Sequence, residues 1–265
     1  MTELPPEIRA YYEQGQEAER LSGGFPSGPL ELARTQELIL RYLADDKLEI
    51  LDVGGGPGIY AKWLAELGHD VGLVDPVSLH VEQARSAGVN ASEGDARALD
   101  QPSGSVDVVL LLGPLYHLVD RADRIHALTE SRRVLRPDGV VFAAAISRFA
   151  ALFDLLVRLD RLHEDEVFRV VADAVATGVF RGSEGGLFTT AYFHRPSELR
   201  DEVREARFTP VALFNIEGPG FIVNDFIERW SDPPRREALL QAARLVEEEP
   251  EMLAAASHLL LVGRP

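Results

Sequence analysis

Between residues 49 and 146, short apolar runs alternate with segments whose hydrophobic positions recur every three or four residues. Glu49–Val53 (EILDV) predicts a strand, closed by the glycines that follow. Residues Tyr60–Leu67 place Ala61, Leu64, Ala65 and Leu67 at helical spacing, and Gly68 supplies the stop. Val71–Val74 predicts a second strand, and Pro76 opens a helix through Ala87 with Val77, Val81 and Ala84 on one face. A short third strand leads to Gly94–Asp95. Val106–Leu112 is nearly all apolar, the pattern of a central parallel strand covered on both faces. A helix over Arg121–Val134 and a turn over Leu135–Gly139 (LRPDG) bring the chain back to a strand at Val140–Ala145. Near the end, Pro196–Ala206 predicts a helix, Val211–Ile216 a strand preceded by Pro210, and Leu259–Val262 a last strand. Repeated strand–helix–strand units with short loops imply an α/β fold with a doubly wound, mostly parallel sheet.

Three stretches fall outside this repeat. Residues 1–34 precede the first strand, residues 147–193 form a mostly helical insert rich in Phe, Leu and Val, and residues 218–257 separate the last two strands. Ligands of open α/β sheets bind at the carboxyl ends of the strands. The first stretch is therefore expected as an N-terminal lid, and the second as a lid over the substrate. Residues 48–146 make the ligand-binding core, and 194–265 complete it around the helical insert at 218–257, all within one domain. Padding of the fold, or contact in a homo-oligomer, is the alternative use of the extra segments.

Composition narrows the chemistry. The 265 residues include no cysteine, which excludes disulfides, thiolate metal sites and a thiol nucleophile. The net charge of −16 disfavours general binding to nucleic acid. The start, MTELPPEIRA, lacks the basic and apolar regions of a signal peptide, and no apolar run approaches membrane-spanning length, so a cytoplasmic protein without a membrane partner is expected. No metal is expected either, because no H-x-x-x-H or H-x-E-x-H spacing occurs, and no G-x-S-x-G elbow supports hydrolysis.

The richest local signal is LDVGGGPG, residues 51–58, between a strand and a helix. Its glycines permit positive φ and let a ligand approach the backbone. A dinucleotide fingerprint would need glycine at position 59, which is Ile59, and no Gly-Lys-Ser/Thr follows for a Walker loop. The loop suits a nucleoside cofactor without a pyrophosphate.

Here the chain resembles the class I S-adenosylmethionine-dependent methyltransferases, most closely their bacterial small-molecule, UbiE-like branch. The resemblance rests on Asp52-x-Gly54-x-Gly56-x-Gly58, on Asp75 in GLVDP, on Asp95 in EGDA, on VDVVLLLGPLYHL and RRVLRPDGVVFAAA, and on the terminal LLLVGR. It extends from about Leu48 to the C-terminus. It implies a Rossmann-like sheet of about seven strands with an antiparallel C-terminal strand, S-adenosyl-L-methionine as cofactor, and methyl transfer by in-line displacement. The cofactor contacts implied are Asp52, Gly54, Gly55, Gly56 and Gly58, Asp75 on both ribose hydroxyls with Pro76 beside it, Asp95 and Ala96 at the adenine, and Leu112. Before the first strand, Tyr12, Arg20 and Arg34 are candidates for the methionyl end, either arginine being able to fork onto a carboxylate.

Alignment and exclusion of water supply most of such a reaction, so a base is optional. His117 is the best-placed base, in the GPLYHL segment that lines the acceptor side in the family, and Tyr116 beside it orients the acceptor. Arg148, after the fifth strand, and Tyr192 and His194, before the late helix, are candidate substrate contacts. The insert aromatics Phe149, Phe153, Phe168, Phe180 and Phe188 favour a small organic acceptor whose reacting atom (oxygen, nitrogen or carbon) stays open. Methylation of a tRNA base, and binding of the cofactor without methyl transfer, are the competing readings.

Overall fold

The computed structural model describes residues 4–182 and 187–265. Seven strands form one sheet: β1 (Glu49–Val53), β2 (Asp70–Asp75), β3 (Asn90–Glu93), β4 (Val106–Leu111), β5 (Leu135–Ile146), β8 (Thr209–Asn215) and β9 (His258–Arg264), in the order β3-β2-β1-β4-β5-β9-β8. All neighbours are parallel except β9, which runs antiparallel to both β5 and β8. The expected doubly wound sheet is the observed one. The remaining strands, β6 (Val179–Phe180) and β7 (Ala191–Tyr192), make a small antiparallel hairpin inside the 147–193 insert, which the helical reading of that segment did not contain.

The continuous apolar strands have two buried faces. Val109 and Leu111 of β4 pack with Leu128, Val134, Leu199 and Val203 from the helices Arg121–Val134 and Pro196–Glu205. Val108 and Leu110 face Leu38, Ile39, Leu64 and Val81 from the helices Gly28–Leu40, Ile59–Glu66 and Ser78–Ser86. Each such side chain contributes roughly 1.5–3 kcal/mol by leaving water. This core fixes the strand ends to which the loops are attached.

Two boundaries differ from the sequence reading. The LRPDG segment belongs to β5: Val106 pairs with Leu135 and Val108 with Val140, so a step of two residues on β4 spans five on β5, and the surplus bulges outward. Pro210 lies inside β8, at a register irregularity between Pro210 and Ala212, a position open to proline because β8 is the edge strand. Residues 218–257 fold into short helices and the helix Pro233–Val246, whose Leu239 meets Leu30 and Phe226. No helix among the described residues is long and apolar enough to cross a membrane.

Candidate functional site

The sheet order reverses between β1 and β4, and the crevice at their carboxyl ends holds the glycine loop. Gly54, Gly56 and Gly58 have φ of +67°, +57° and +86°. At Gly54 a Cβ would sit 2.5 Å from Pro114 Cγ, so the loop abuts the turn after β4. At Gly56 it would meet no protein atom closer than 3.7 Å, because that face of the loop opens on a cavity. The Gly56 N–H donates to Asp75 Oδ2 at 2.9 Å, and the Val77 N–H donates to Asp75 Oδ1 at 2.9 Å, where His80 Nδ1 also lies at 3.1 Å. Asp75 thus ties the loop to the start of the next helix.

Asp52, at 1% exposure, lies beneath the loop, where its carboxyl faces the Ala61 backbone and has no side-chain partner. Burial, and then the nearby Asp75 charge, pushes its pKa up to about 7. Pro76, Ala96 and Leu112 line the same cavity with Gly54, Gly55 and Gly56. Asp95 stands at its edge paired to Arg97 at 2.6 Å; burial opposes the shift, but Arg97 holds the carboxyl below its ordinary range. The N-terminal segment contributes the opposite wall through Ile8, Tyr12, Glu17, Arg20 and Leu21.

A second, wider cavity of about 1200 Å³ opens between that segment and the insert. Tyr11, Phe25, Phe180, Phe188 and Phe193 line it with Ile146, Leu155 and Leu187, and its rim carries Gln14, Glu19, Asp154 and Arg158. Of the insert aromatics singled out from sequence, Phe180 and Phe188 line this cavity. Phe153 instead packs on Phe221, and Phe168 is exposed.

Five residues face both cavities: Tyr12, Glu17, Arg20, Tyr116 and His258. At this junction the Tyr12 hydroxyl lies 2.5 Å from His117 Nε2. Burial lowers the His117 pKa to about 4, with the Thr190 backbone partly opposing, and burial raises both tyrosines, so the Tyr12 O–H is the donor. Beside it, Arg20 bonds Glu17 at 2.7 Å and grips both oxygens of Glu31 at 2.7 and 3.1 Å. His258 Nδ1 lies 2.5 Å from Glu217, with Glu31 at 3.8 Å. Burial alone would lower the His258 pKa; Glu31 and Glu217 raise it to about 9, so the ring is a cation at neutral pH.

Five sequence-based candidates lie elsewhere. Gly58 lines neither cavity, because its Cα faces the core side, where a Cβ would meet Ala84, Val89 and Leu73 at 3.2–3.5 Å. Arg34 is fully buried on the far side of its helix, bonded to Glu37, Glu247 and the Ile216 carbonyl, and lines neither cavity; of the two N-terminal arginines, Arg20 is the one at the site. Arg148, Tyr192 and His194 form a buried polar knot that pins the insert to the helix Pro196–Glu205. Arg148 donates to the Phe193 carbonyl at 2.7 Å, to Glu198 at 2.6 Å and to the Tyr192 hydroxyl at 3.2 Å. His194 Nε2 lies 3.2 Å from Glu202, which also holds Arg124. None of the three reaches either cavity.

Sequence reading missed Glu17, Glu31, His80, Glu217 and His258. Glu217 follows β8 and His258 opens β9, so the antiparallel register brings them together although they stand 41 residues apart in the chain. Glu31, Glu217 and His258 offer three ligand atoms within 4.8 Å of one another, where no metal spacing was legible. In this structure Arg20 and the His258 ring supply the positive charge among those acids.

A family model described as a methyltransferase domain matches residues 50–139. The ubiquinone/menaquinone biosynthesis C-methyltransferase UbiE of Acidiphilium cryptum is 38% identical over 181 residues, covering 64% of this chain and 69% of that protein. A ubiquinone biosynthesis O-methyltransferase of Cereibacter sphaeroides is 28% identical over 191 residues, covering 69% and 67%. Among solved structures, an S-adenosylmethionine-dependent methyltransferase of Thermotoga maritima, described as a possible histamine N-methyltransferase, superposes with a TM-score of 0.57 at 19% identity, covering 97% of this chain and 98% of that one.

Proposed function

This chain belongs to the class I S-adenosylmethionine-dependent methyltransferases and methylates a small molecule; from that premise we propose that its acceptor is a partly apolar organic compound entering through the aromatic-lined second cavity. The observation that carries this reading is the junction: donor and acceptor cavities share Tyr12, Glu17, Arg20, Tyr116 and His258, and a methyl group passes between two molecules only where they touch.

The donor cavity fits the cofactor. Asp52 is a buried carboxyl beneath the loop with no side-chain partner, which favours positive charge on the ligand above it, and the open face at Gly56 leaves room at the loop. Asp75, Pro76, Asp95, Ala96 and Leu112 supply the rest of the wall, and Arg20, held by Glu17 and Glu31, brings positive charge to the N-terminal side of the cavity for the methionyl carboxylate. When bound, the cofactor supplies a methyl group on a positively charged sulfur, ready for displacement.

The protein's own contributions are placement and proton handling. Ile8, Tyr12 and Leu21 cover the cavity and keep water from the junction. Tyr116 and Phe188, with ring centroids 6.4 Å apart, flank the acceptor. His117, uncharged above about pH 5, accepts the acceptor's proton through the Tyr12 hydroxyl, which bonds its Nε2. A neutral hydroxyl becomes strongly acidic as its oxygen gains a methyl group, so a base this weak suffices.

The relatives include an O- and a C-methyltransferase of ubiquinone biosynthesis, which supports oxygen or carbon as the reacting atom. The cavity's aromatic lining and the charge of −16 speak against a tRNA acceptor. Incubation with cofactor carrying a deuterated methyl, together with fractionated cell extract, tests the proposal. Label should enter the organic-soluble fraction; label confined to RNA, or no label from protein that binds the cofactor, would overturn it.

A further inference from the structure

We propose that His258 is a specificity-determining residue whose Nε2–H holds a carbonyl oxygen of the methyl acceptor, distinct from the atom that is methylated. The inference rests on the acceptor-cavity reading above. His258 opens β9 opposite Ile146 of β5 and faces both cavities at their junction. Its two ring nitrogens differ in their surroundings. Nδ1 lies 2.5 Å from one oxygen of Glu217, and the His258 backbone N–H donates to the other at 3.1 Å. These two bonds fix the ring. Nε2 has no hydrogen-bond partner among the described residues, yet it keeps accessible surface, in a side chain that is 16% exposed. Held between Glu217 and Glu31, the ring is a cation, so Nε2 carries a hydrogen and only donates.

The neighbouring charges select the ligand group. Arg20, the other cation at the junction, is engaged by Glu17 and by both oxygens of Glu31. With Glu217, three carboxylates stand against two cations, so no positive charge is left over for a carboxylate or a phosphate. An uncharged oxygen accepts the Nε2–H without adding to the repulsion. An oxygen bonded to an imidazolium gives up electron density and becomes a poorer nucleophile. The oxygen at His258 is therefore not the one that attacks the methyl group. A carbonyl fits this position best. Polarising it acidifies a C–H or O–H conjugated with it, which suits a base as weak as His117. The acceptor class that follows is an unsaturated ketone, quinone or aryl carbonyl compound.

The test is NMR titration of three aromatic probes of one shape into the wild type and His258→Asn, both loaded with S-adenosylhomocysteine. Acetophenone carries a carbonyl, α-methylstyrene replaces its oxygen with CH2, and benzoate carries a charge. Asparagine keeps a donor toward Glu217 and removes the atom at Nε2. The affinity ratio of acetophenone to α-methylstyrene should fall about tenfold from wild type to variant. Comparing the ratio cancels the different hydration of the two probes, and a merely structural role for His258 would leave it unchanged. In the wild type, benzoate should bind more weakly than acetophenone. An unchanged ratio, or benzoate as the tighter ligand of that pair, would overturn the proposal while leaving the acceptor cavity in place. No binding of any probe to the loaded wild type would sink the acceptor-cavity reading, and the proposal with it. If the variant does not fold, a structure of the wild type with acetophenone decides. Its oxygen within hydrogen-bond reach of His258 Nε2 supports the proposal, and any other placement overturns it.

Discussion

The Tyr12 hydroxyl meets His117 Nε2 at 2.5 Å, joining the N-terminal segment to the turn after β4 across a sequence separation of 105 residues. One contact therefore joins the wall of the donor cavity to His117, the proposed base. Tyr12→Phe keeps the ring but removes the hydroxyl, leaving Nε2 buried without its donor. We expect kcat to fall by about a hundredfold with little change in affinity for S-adenosylhomocysteine, measured by labelled-methyl transfer and calorimetry. In the wild type, activity should fall as pH drops through about 4, where His117 gains a proton.

Asp52 sets stability against binding. Its pKa of about 7, against an ordinary 3.8, means that the folded state holds more protons than the unfolded one between those values. Stability therefore falls as pH rises through that window. Asp52→Asn should stabilise the ligand-free protein at pH 8 by an amount on the order of 2 kcal/mol, read by urea unfolding, while weakening cofactor binding.

His258 is shifted in the same direction, but by its acidic neighbours rather than by burial. With its pKa raised from 6.5 to about 9, the stability it contributes is complete below about pH 6.5 and lost as pH rises through 9. Glu217→Gln removes its close partner at 2.5 Å. That variant should unfold more easily at pH 6 by roughly 2 kcal/mol, and its difference from the wild type should shrink by pH 10.

The knot of Arg148, Tyr192 and His194 should behave as structure. Arg148→Met and His194→Gln are expected to lower Tm, by about 2–4 °C for each kcal/mol lost. The KM for the acceptor should not change. Arg124→Met, which takes the bidentate arginine from the buried Glu202 and leaves it His194 at 3.2 Å and Arg121 at 3.9 Å, should cost about 2–4 kcal/mol.

How much of this was legible in the sequence depended on distance along the chain. The strand Glu49–Val53, the glycines after it and the helix Arg121–Val134 were readable because apolar period and turn residues are local signals. The bulge in β5 was not, since LRPDG reads as a turn wherever it stands and only pairing with Val106 makes it strand. Arg148 and His194 sit near strand ends where sequence order suggested the site. Sequence order does not say which way a side chain points, and theirs point into the protein. His80 and the Glu31–Glu217–His258 group are assembled by the sheet from separate segments, with no spacing to betray them.

The central claim, that the glycine-loop cavity holds S-adenosylmethionine, is tested most directly by titrating S-adenosylhomocysteine and NAD into the purified protein and into Gly56→Ala. That substitution strains a φ of +57° and puts a methyl group into the cavity without striking protein atoms. The account predicts heat with the sulfur nucleoside, none with NAD, and strong loss of binding in a variant that stays folded. No heat with S-adenosylhomocysteine from folded wild-type protein would contradict it.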